Sequence, residues 1–194
     1  MARFIRASNP PQYQSHKSYK RYLRPDFRFR CAYCEVTEGY LRGPDAFGAD
    51  HFKPFKHFPE LDCVYQNLYY CCNKCNGIKG AHWPSADLQK KGIRFADPCI
   101  EDPYTVHLSI QPSGDLKPTS EVGSYTLEII RLNREECRRF RTNRSDLISA
   151  IREYRSVLAD QDGPVDMVDS LRRALDRAEA EWVELFFEGE VELY

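Results

Sequence analysis

Gly48-Ala49-Asp50-His51-Phe52-Lys53-Pro54 lies between two cysteine pairs, Cys31-Ala32-Tyr33-Cys34 and Cys72-Asn73-Lys74-Cys75, and the reading of this interval decides the fold. Each pair is a C-x-x-C, whose two-residue spacer lets one turn aim both sulfurs at a single ion. Together the pairs predict a tetrahedral zinc site of Cys31, Cys34, Cys72 and Cys75, with no open position and therefore structural. Residues 35–71, 37 in all, exceed the usual ribbon spacing, so a substantial element must separate the knuckles. Cys71 adjoins Cys72 and can replace it as C-x-x-x-C, which leaves that ligand open between the two. Cys63, Cys99 and Cys137 have no partner at ligand spacing and read as small buried side chains.

The interval itself reads as strand, long loop, strand and short helix. Gln66-Asn67-Leu68-Tyr69-Tyr70 is strand-like. Asn73 to Gly80 is a short helix with Asn73 as an N-cap and Gly80 as its stop. His57 reads as loop surface, and His82 as local packing with Trp83.

Asp50-His51, Asn67 with Leu68, and Asn76 directly after the last knuckle cysteine, with Lys79-Gly80 behind it, resemble the HNH endonucleases. These are the ββα-metal, or His-Me finger, nucleases, and the resemblance covers roughly residues 29–82. Asn76 stands where many members carry His and still offers an oxygen. The two knuckles match the zinc-bearing branch of that family. The resemblance implies an α+β fold with a ββα-metal nuclease core and metal-dependent hydrolysis of nucleic-acid phosphodiester bonds. It makes His51 the general base and gives Asp50 and Asn76 a catalytic Mg²⁺ or Mn²⁺. Asn67 would tie down the loop and position His51, and Lys79 would contact a phosphate.

These residue types suit the chemistry. Hydrolysis needs an activated water, and histidine has its ordinary pKa near neutrality. It also needs a cation to neutralise charge on the phosphate and the departing 3′ oxygen. A hard ion takes oxygen ligands and keeps several waters, so a carboxylate and an amide oxygen suffice from the protein. Neighbours on a strand face opposite ways, so a local bend must aim residues 50 and 51 at one target.

Outside the core, Ser113-Gly114-Asp115 signals a turn after the extended stretch Val106 to Ile110, predicting a small β-hairpin. Gly123 to Leu132 reads as a short helix. Asn133 and Glu136 form an apparent capping box ahead of a long helix carrying Cys137, Phe140, Leu147, Ile148, Ile151, Tyr154 and Leu158. Asp162-Gly163-Pro164 interrupts, and Val168, Leu171, Leu175, Ala178, Trp182 and Leu185 form the seam of a second helix, giving an antiparallel hairpin. The expected organisation is therefore a basic segment (1–30), the nuclease core with its zinc (31–98), a hairpin and short helix (99–132), and the helical hairpin (133–194). The order Asp97-Pro98, Glu101-Asp102-Pro103, Gly123, Leu132-Asn133-Arg134 also resembles the retron- and Septu-associated HNH nucleases of bacterial antiphage systems. That resemblance implies an ATPase partner, with the acidic, apolar segment Glu181 to Glu188 as a docking surface.

Composition excludes several classes. The chain has 194 residues, 29% charged and 42% hydrophobic, which is ordinary for a globular protein and unlike a disordered one. The longest apolar runs, such as Leu185-Phe186-Phe187, are too short to span a bilayer, and Met1 to Pro10 lacks a signal's apolar core. A cytoplasmic location follows as the expectation, and eight cysteines there are not read as disulfides. Net charge is −1, but residues 1–30 hold eight bases against Asp26, while 176–194 hold seven acids against Arg177. The basic segment suits a polyanion, with DNA the expected partner and the Tyr, Lys and Arg of residues 13–30 positioning its backbone. The rival function is a non-catalytic zinc module that binds nucleic acid or protein, which would need no Asp50, His51 and Asn76 together. A third is an effector with the same chemistry, held inactive until its partner joins it.

Overall fold

A computed structural model describes residues 1–159 together with 169, 170, 173, 176 and 177. Six α-helices and four strands, besides four short 3-10 turns, run through the described residues: α1 (Lys20–Asp26), β1 (Phe47–His51), β2 (Leu68–Cys72), α2 (Asn73–Lys79), α3 (Ala86–Lys90), α4 (Pro103–Val106), β3 (Leu108–Ile110), β4 (Leu116–Pro118), α5 (Glu121–Ile130) and α6 (Glu135–Ala159). The class is mixed α+β with two small antiparallel sheets, β1–β2 and β3–β4.

The first sheet organises the molecule. Its register pairs Phe47 with Cys72 at one end and His51 with Leu68 at the other. All five residues of β2 are buried, because α1 and the residues that flank it pack on the sheet through Tyr19, Leu23 and Phe27. These three recur every four residues, one face of a helical turn. Phe52 stacks on Tyr69 with ring centroids 4.6 Å apart, and Phe47 on Tyr70 at 4.9 Å. Trp83 and Phe95 extend that aromatic layer against Phe52. Each fully buried ring of this kind contributes about 1.5–3 kcal/mol.

β2 runs directly into α2. The N-cap is Cys72, whose sulfur accepts from the Cys75 N–H, and not Asn73, whose side chain donates to the Asp45 carbonyl. Gly80 ends the helix at a φ of +46°, as expected of a glycine stop. The predicted hairpin is β3–β4, and its turn carries Gly114 at a φ of +77° against the Arg138 carbonyl. The predicted short helix is α5, two residues earlier at each end.

The expected capping box at Asn133 is not formed. Its amide is spent on β4, accepting from the Leu116 N–H at 2.7 Å and donating to the Leu116 carbonyl at 2.9 Å. A backbone strand edge offers Asn both bonds at once, which the helix start does not. Of the apolar pattern read for α6, Cys137, Phe140 and Ile151 are buried, while Leu147 and Ile148 are half-buried. Of the second C-terminal helix, only five positions are described, all helical; its apolar seam and the acidic docking segment lie outside the described residues.

Candidate active site

Four sulfurs gather at the Phe47–Cys72 end of the sheet. Those of Cys31, Cys34, Cys72 and Cys75 all lie within 4.8 Å of one another and are buried. The strand and the first turn of α2 supply one pair, and the turn at residues 31–34 supplies the other. Such a set of soft donors can hold a zinc ion. Cys72, not Cys71, belongs to the cluster; Cys71 approaches Cys31 at 3.8 Å and gives its S–H to the Cys72 carbonyl. Arg134 donates to the Cys75 sulfur at 3.1 Å, placing a cation against donors that bind metal as thiolates. Of the three remaining cysteines, only Cys137 is fully buried, while Cys63 and Cys99 are half-buried.

The other end of the sheet opens on a cavity of about 500 Å³ lined by His16, Asp50, His51, Phe55, Asp62 and Asn76, among others. Three of the predicted site residues, Asp50, His51 and Asn76, therefore border one space. His51 ends β1 with its Nε2 at 2.9 Å from the Asp62 carbonyl and 3.0 Å from the Asp62 Oδ1. Both neighbours are acceptors, so the hydrogen is assigned to Nε2 and Nδ1 is left as the basic lone pair. Burial pushes the Asp62 carboxyl up, but the bond from His51 and the nearby His16 outweigh it, and the group is held below its usual range. It is thus an anion at neutral pH, suited to orienting an imidazole and stabilising its protonated form.

Asn67 does not touch this cavity. It is 7% exposed, and its Oδ1 accepts from the Lys53 N–H at 2.8 Å. Its Nδ2 donates to the carbonyls of Lys53 and Leu61 at 3.1 and 3.4 Å. One side chain so ties the segment leaving His51 to the segment carrying Asp62.

Asp50 is 4% exposed. The Tyr33 hydroxyl donates to Oδ2 at 2.6 Å, and Lys79 Nζ lies 3.1 Å from the same oxygen. Burial raises the Asp50 carboxyl, against the opposing pull of Lys79 and Tyr33. Lys79, expected at a phosphate, points inward instead. It is fully buried and also donates to the His51 carbonyl at 2.6 Å. The reason is electrostatic: an isolated buried carboxylate costs several kcal/mol, and a paired one far less. Lys79 Nζ also donates to Asp50 Oδ1 at 3.4 Å, so both carboxylate oxygens are engaged, each with a lone pair to spare. The Asn76 amide makes no side-chain hydrogen bond among the described residues. Asp50 and Asn76 thus border the same cavity as oxygen donors, with the Asp50 carboxylate already paired with Lys79.

The basic segment is largely committed within the protein. Arg3 forms a two-point pair with Glu35, and Arg24 one with Glu38. Arg6 reaches Asp26 and the Tyr65 carbonyl and lies over the rings of Phe27, Tyr65 and Tyr69. Arg30 is 1% exposed. Lys17 and Arg21 remain exposed, with Arg21 against the Tyr13 hydroxyl. Counting charge along the chain could not separate these ties from a solvated face. His57 is exposed as expected, but so is His82, and Trp83 alone packs inward.

Sequence reasoning missed three residues at the site. His16 lies with its Nδ1 at 3.1 Å from Asp62 Oδ1 and its ring centroid 4.7 Å from that of His51. Asp62 and Tyr33 are the others. Tyr33 stood in view, inside the first knuckle, but nothing in its spacing points to residue 50.

Comparison with known proteins finds similarity to the Septu protein PtuB of Bacillus thuringiensis, 29% identical over 108 residues. The match takes in 54% of this chain and 37% of the relative, so the chain spans well under half of that protein's length. It agrees with the Septu-associated resemblance read from the sequence. No protein-family model matches the chain, and no solved structure matches it. No helix among the described residues is long and apolar enough to cross a membrane.

Proposed function

We propose that the protein is a metal-dependent endonuclease of the HNH type that hydrolyses phosphodiester bonds in DNA and serves antiphage defence. The observation that carries the reading is the convergence on one cavity of Asp50 and His51, neighbours on β1, with Asn76, 25 residues further along the chain. The β1–β2–α2 order is the one the HNH resemblance calls for. His51 takes the proton of the attacking water at Nδ1 while Asp62 holds the ring through Nε2. Asp50 and Asn76 would hold Mg²⁺ or Mn²⁺, which supplies charge neutralisation at the scissile phosphate when bound. Asn67 fixes the loop that brings Asp62 to His51. Phe55, half exposed, and Lys56 line the same cavity and offer a stacking face and a cation to a nucleic acid. The zinc-loaded sulfur cluster keeps this scaffold rigid.

The similarity to a Septu protein supports the defence role and, with it, a partner protein, for which the sequence resemblance suggests an ATPase. The test is cleavage of plasmid DNA and of single-stranded RNA in Mg²⁺ or Mn²⁺, alone and with the neighbouring gene's product. Wild-type protein is expected to cut DNA, and His51→Ala and Asn76→Ala to lose at least about a hundredfold in rate. Equal rates in all three proteins would remove the mechanism, and binding without cleavage under every condition would leave the non-catalytic zinc module.

A further inference from the structure

Beyond the oxygen donors assigned to the hard cation, the cavity carries a second donor set of different chemistry. His16 Nδ1, His51 Nε2 and an Asp62 oxygen all lie within 4.8 Å of one another. The two nitrogens sit 3.1 and 3.0 Å from the same Asp62 Oδ1. Ligands around a four-coordinate zinc ion at about 2.0–2.1 Å are separated by comparable distances. The Asp62 carbonyl, 2.9 Å from His51 Nε2, is a further oxygen at the same spot. The side chains are 30, 14 and 39% exposed, and all three border the cavity, so a fourth ligand can enter from solvent.

We infer that His16, His51 and Asp62 form an inhibitory site for a nitrogen-preferring divalent ion of the zinc class. Two imidazoles and one carboxylate with an open position suit Zn²⁺, Co²⁺ or Ni²⁺, whereas Mg²⁺ favours oxygen and a larger share of water. The inhibition rests on the reading of His51 as general base. In the metal-free protein the His51 hydrogen is on Nε2 and the lone pair on Nδ1. An ion taken up by Nε2 displaces that hydrogen, and a neutral ring then carries its single hydrogen on Nδ1, the proton moving through solvent. The nitrogen that would accept a proton from water becomes a donor, and the base is switched off with His51 still in place. The ion also draws Asp62 away from its orienting role. His16 comes from the N-terminal segment, 35 residues ahead of His51, so the site needs that segment seated on the core.

The experiment uses the full chain with its sulfur cluster already loaded with zinc, titrated with Co²⁺ and followed by absorption. One additional Co²⁺ is expected, with a ligand-field spectrum free of sulfur charge transfer. His16→Ala and the milder Asp62→Asn should each weaken it by more than the roughly 10–100-fold that loss of an outer-shell partner costs, with the first zinc retained as proof of folding. No second ion in the wild type, or the same affinity in both variants, overturns the site. The second arm measures Mg²⁺-supported cleavage with added Zn²⁺, each protein normalised to its own rate without it. Zinc should suppress the wild type at concentrations at least about tenfold lower than those needed for His16→Ala, which keeps Asp50 and Asn76. Equal suppression of both overturns the inhibition. Co²⁺ binding as described with no cleavage by any protein would instead sink the nuclease reading and leave the metal site standing.

Discussion

At one end of the β1–β2 sheet the four cysteines are at most 2% exposed; at the other, His16, His51 and Asp62 are 14–39% exposed along an open cavity. The same hairpin and the same short helix serve both. The sulfur end supplies four donors of one kind, closed to solvent, with an arginine against one of them. The cavity end mixes nitrogen and oxygen, keeps access, and depends on distant segments for two of its members. A closed set can only hold an ion and stiffen its surroundings, while an open, mixed set leaves room for a substrate and for exchange of ligands. Between them stands a buried bridge: Tyr33, one residue from Cys34, donates to Asp50, which pairs with Lys79 of α2.

If this contrast is right, the largest effect belongs to the sulfur end. Stripping zinc with a strong chelator, or replacing Cys72 with Ser, should abolish cooperative thermal unfolding. Structural zinc contributes about 10 kcal/mol or more in small domains, comparable to a whole domain's stability of about 5–15 kcal/mol. Cys71→Ser should keep one zinc by metal analysis, and its loss there would break the assignment of Cys72. Next comes the bridge. Lys79→Met strands the Asp50 carboxylate, and urea denaturation should show a loss of about 3–5 kcal/mol. Asp50→Asn in the same background should recover part of it.

Asn67→Ala sharpens the cavity side. It removes three hydrogen bonds and should cost about 1–3 kcal/mol, with cleavage falling further than stability because Asp62 loses its place beside His51. The smallest effect is a control from outside both clusters. Arg94, and secondarily His107, pull the Glu101 carboxyl down from 4.5 to about 2. Its contribution is complete above pH 4.5 and disappears as pH falls through 2, because the unfolded chain takes up the proton first. Glu101→Gln should therefore flatten the acid limb of the stability curve in that window and leave both clusters' metal content unchanged.

The sulfur end was legible because both pairs are local patterns whose spacing carries the geometry. The order of β1, β2 and α2 was legible for the same reason, as was the pattern of α6. What stayed hidden depends on contacts across the chain. His16 meets Asp62 over 46 residues, and Tyr33 meets Asp50 over 17. No periodicity records either. Lys79 was misread because a lysine beside a glycine at a helix end looks solvent-facing until a buried carboxylate is found opposite. Asn133 was misread because two local rules competed, and pairing with Leu116 satisfied more of its amide than a helix cap would.

The Tyr33–Asp50 contact has a practical consequence for anyone handling the protein. Were the sulfur cluster to carry an ion, stripping it would loosen the turn that carries Tyr33, and with it the carboxylate that Tyr33 touches. Loss of function in a chelator would then say nothing about which ion took part in the reaction, since damage to the frame and starvation of the catalyst would look alike at the bench. Only restoring each ion separately, and watching whether shape or turnover returns first, tells the two apart.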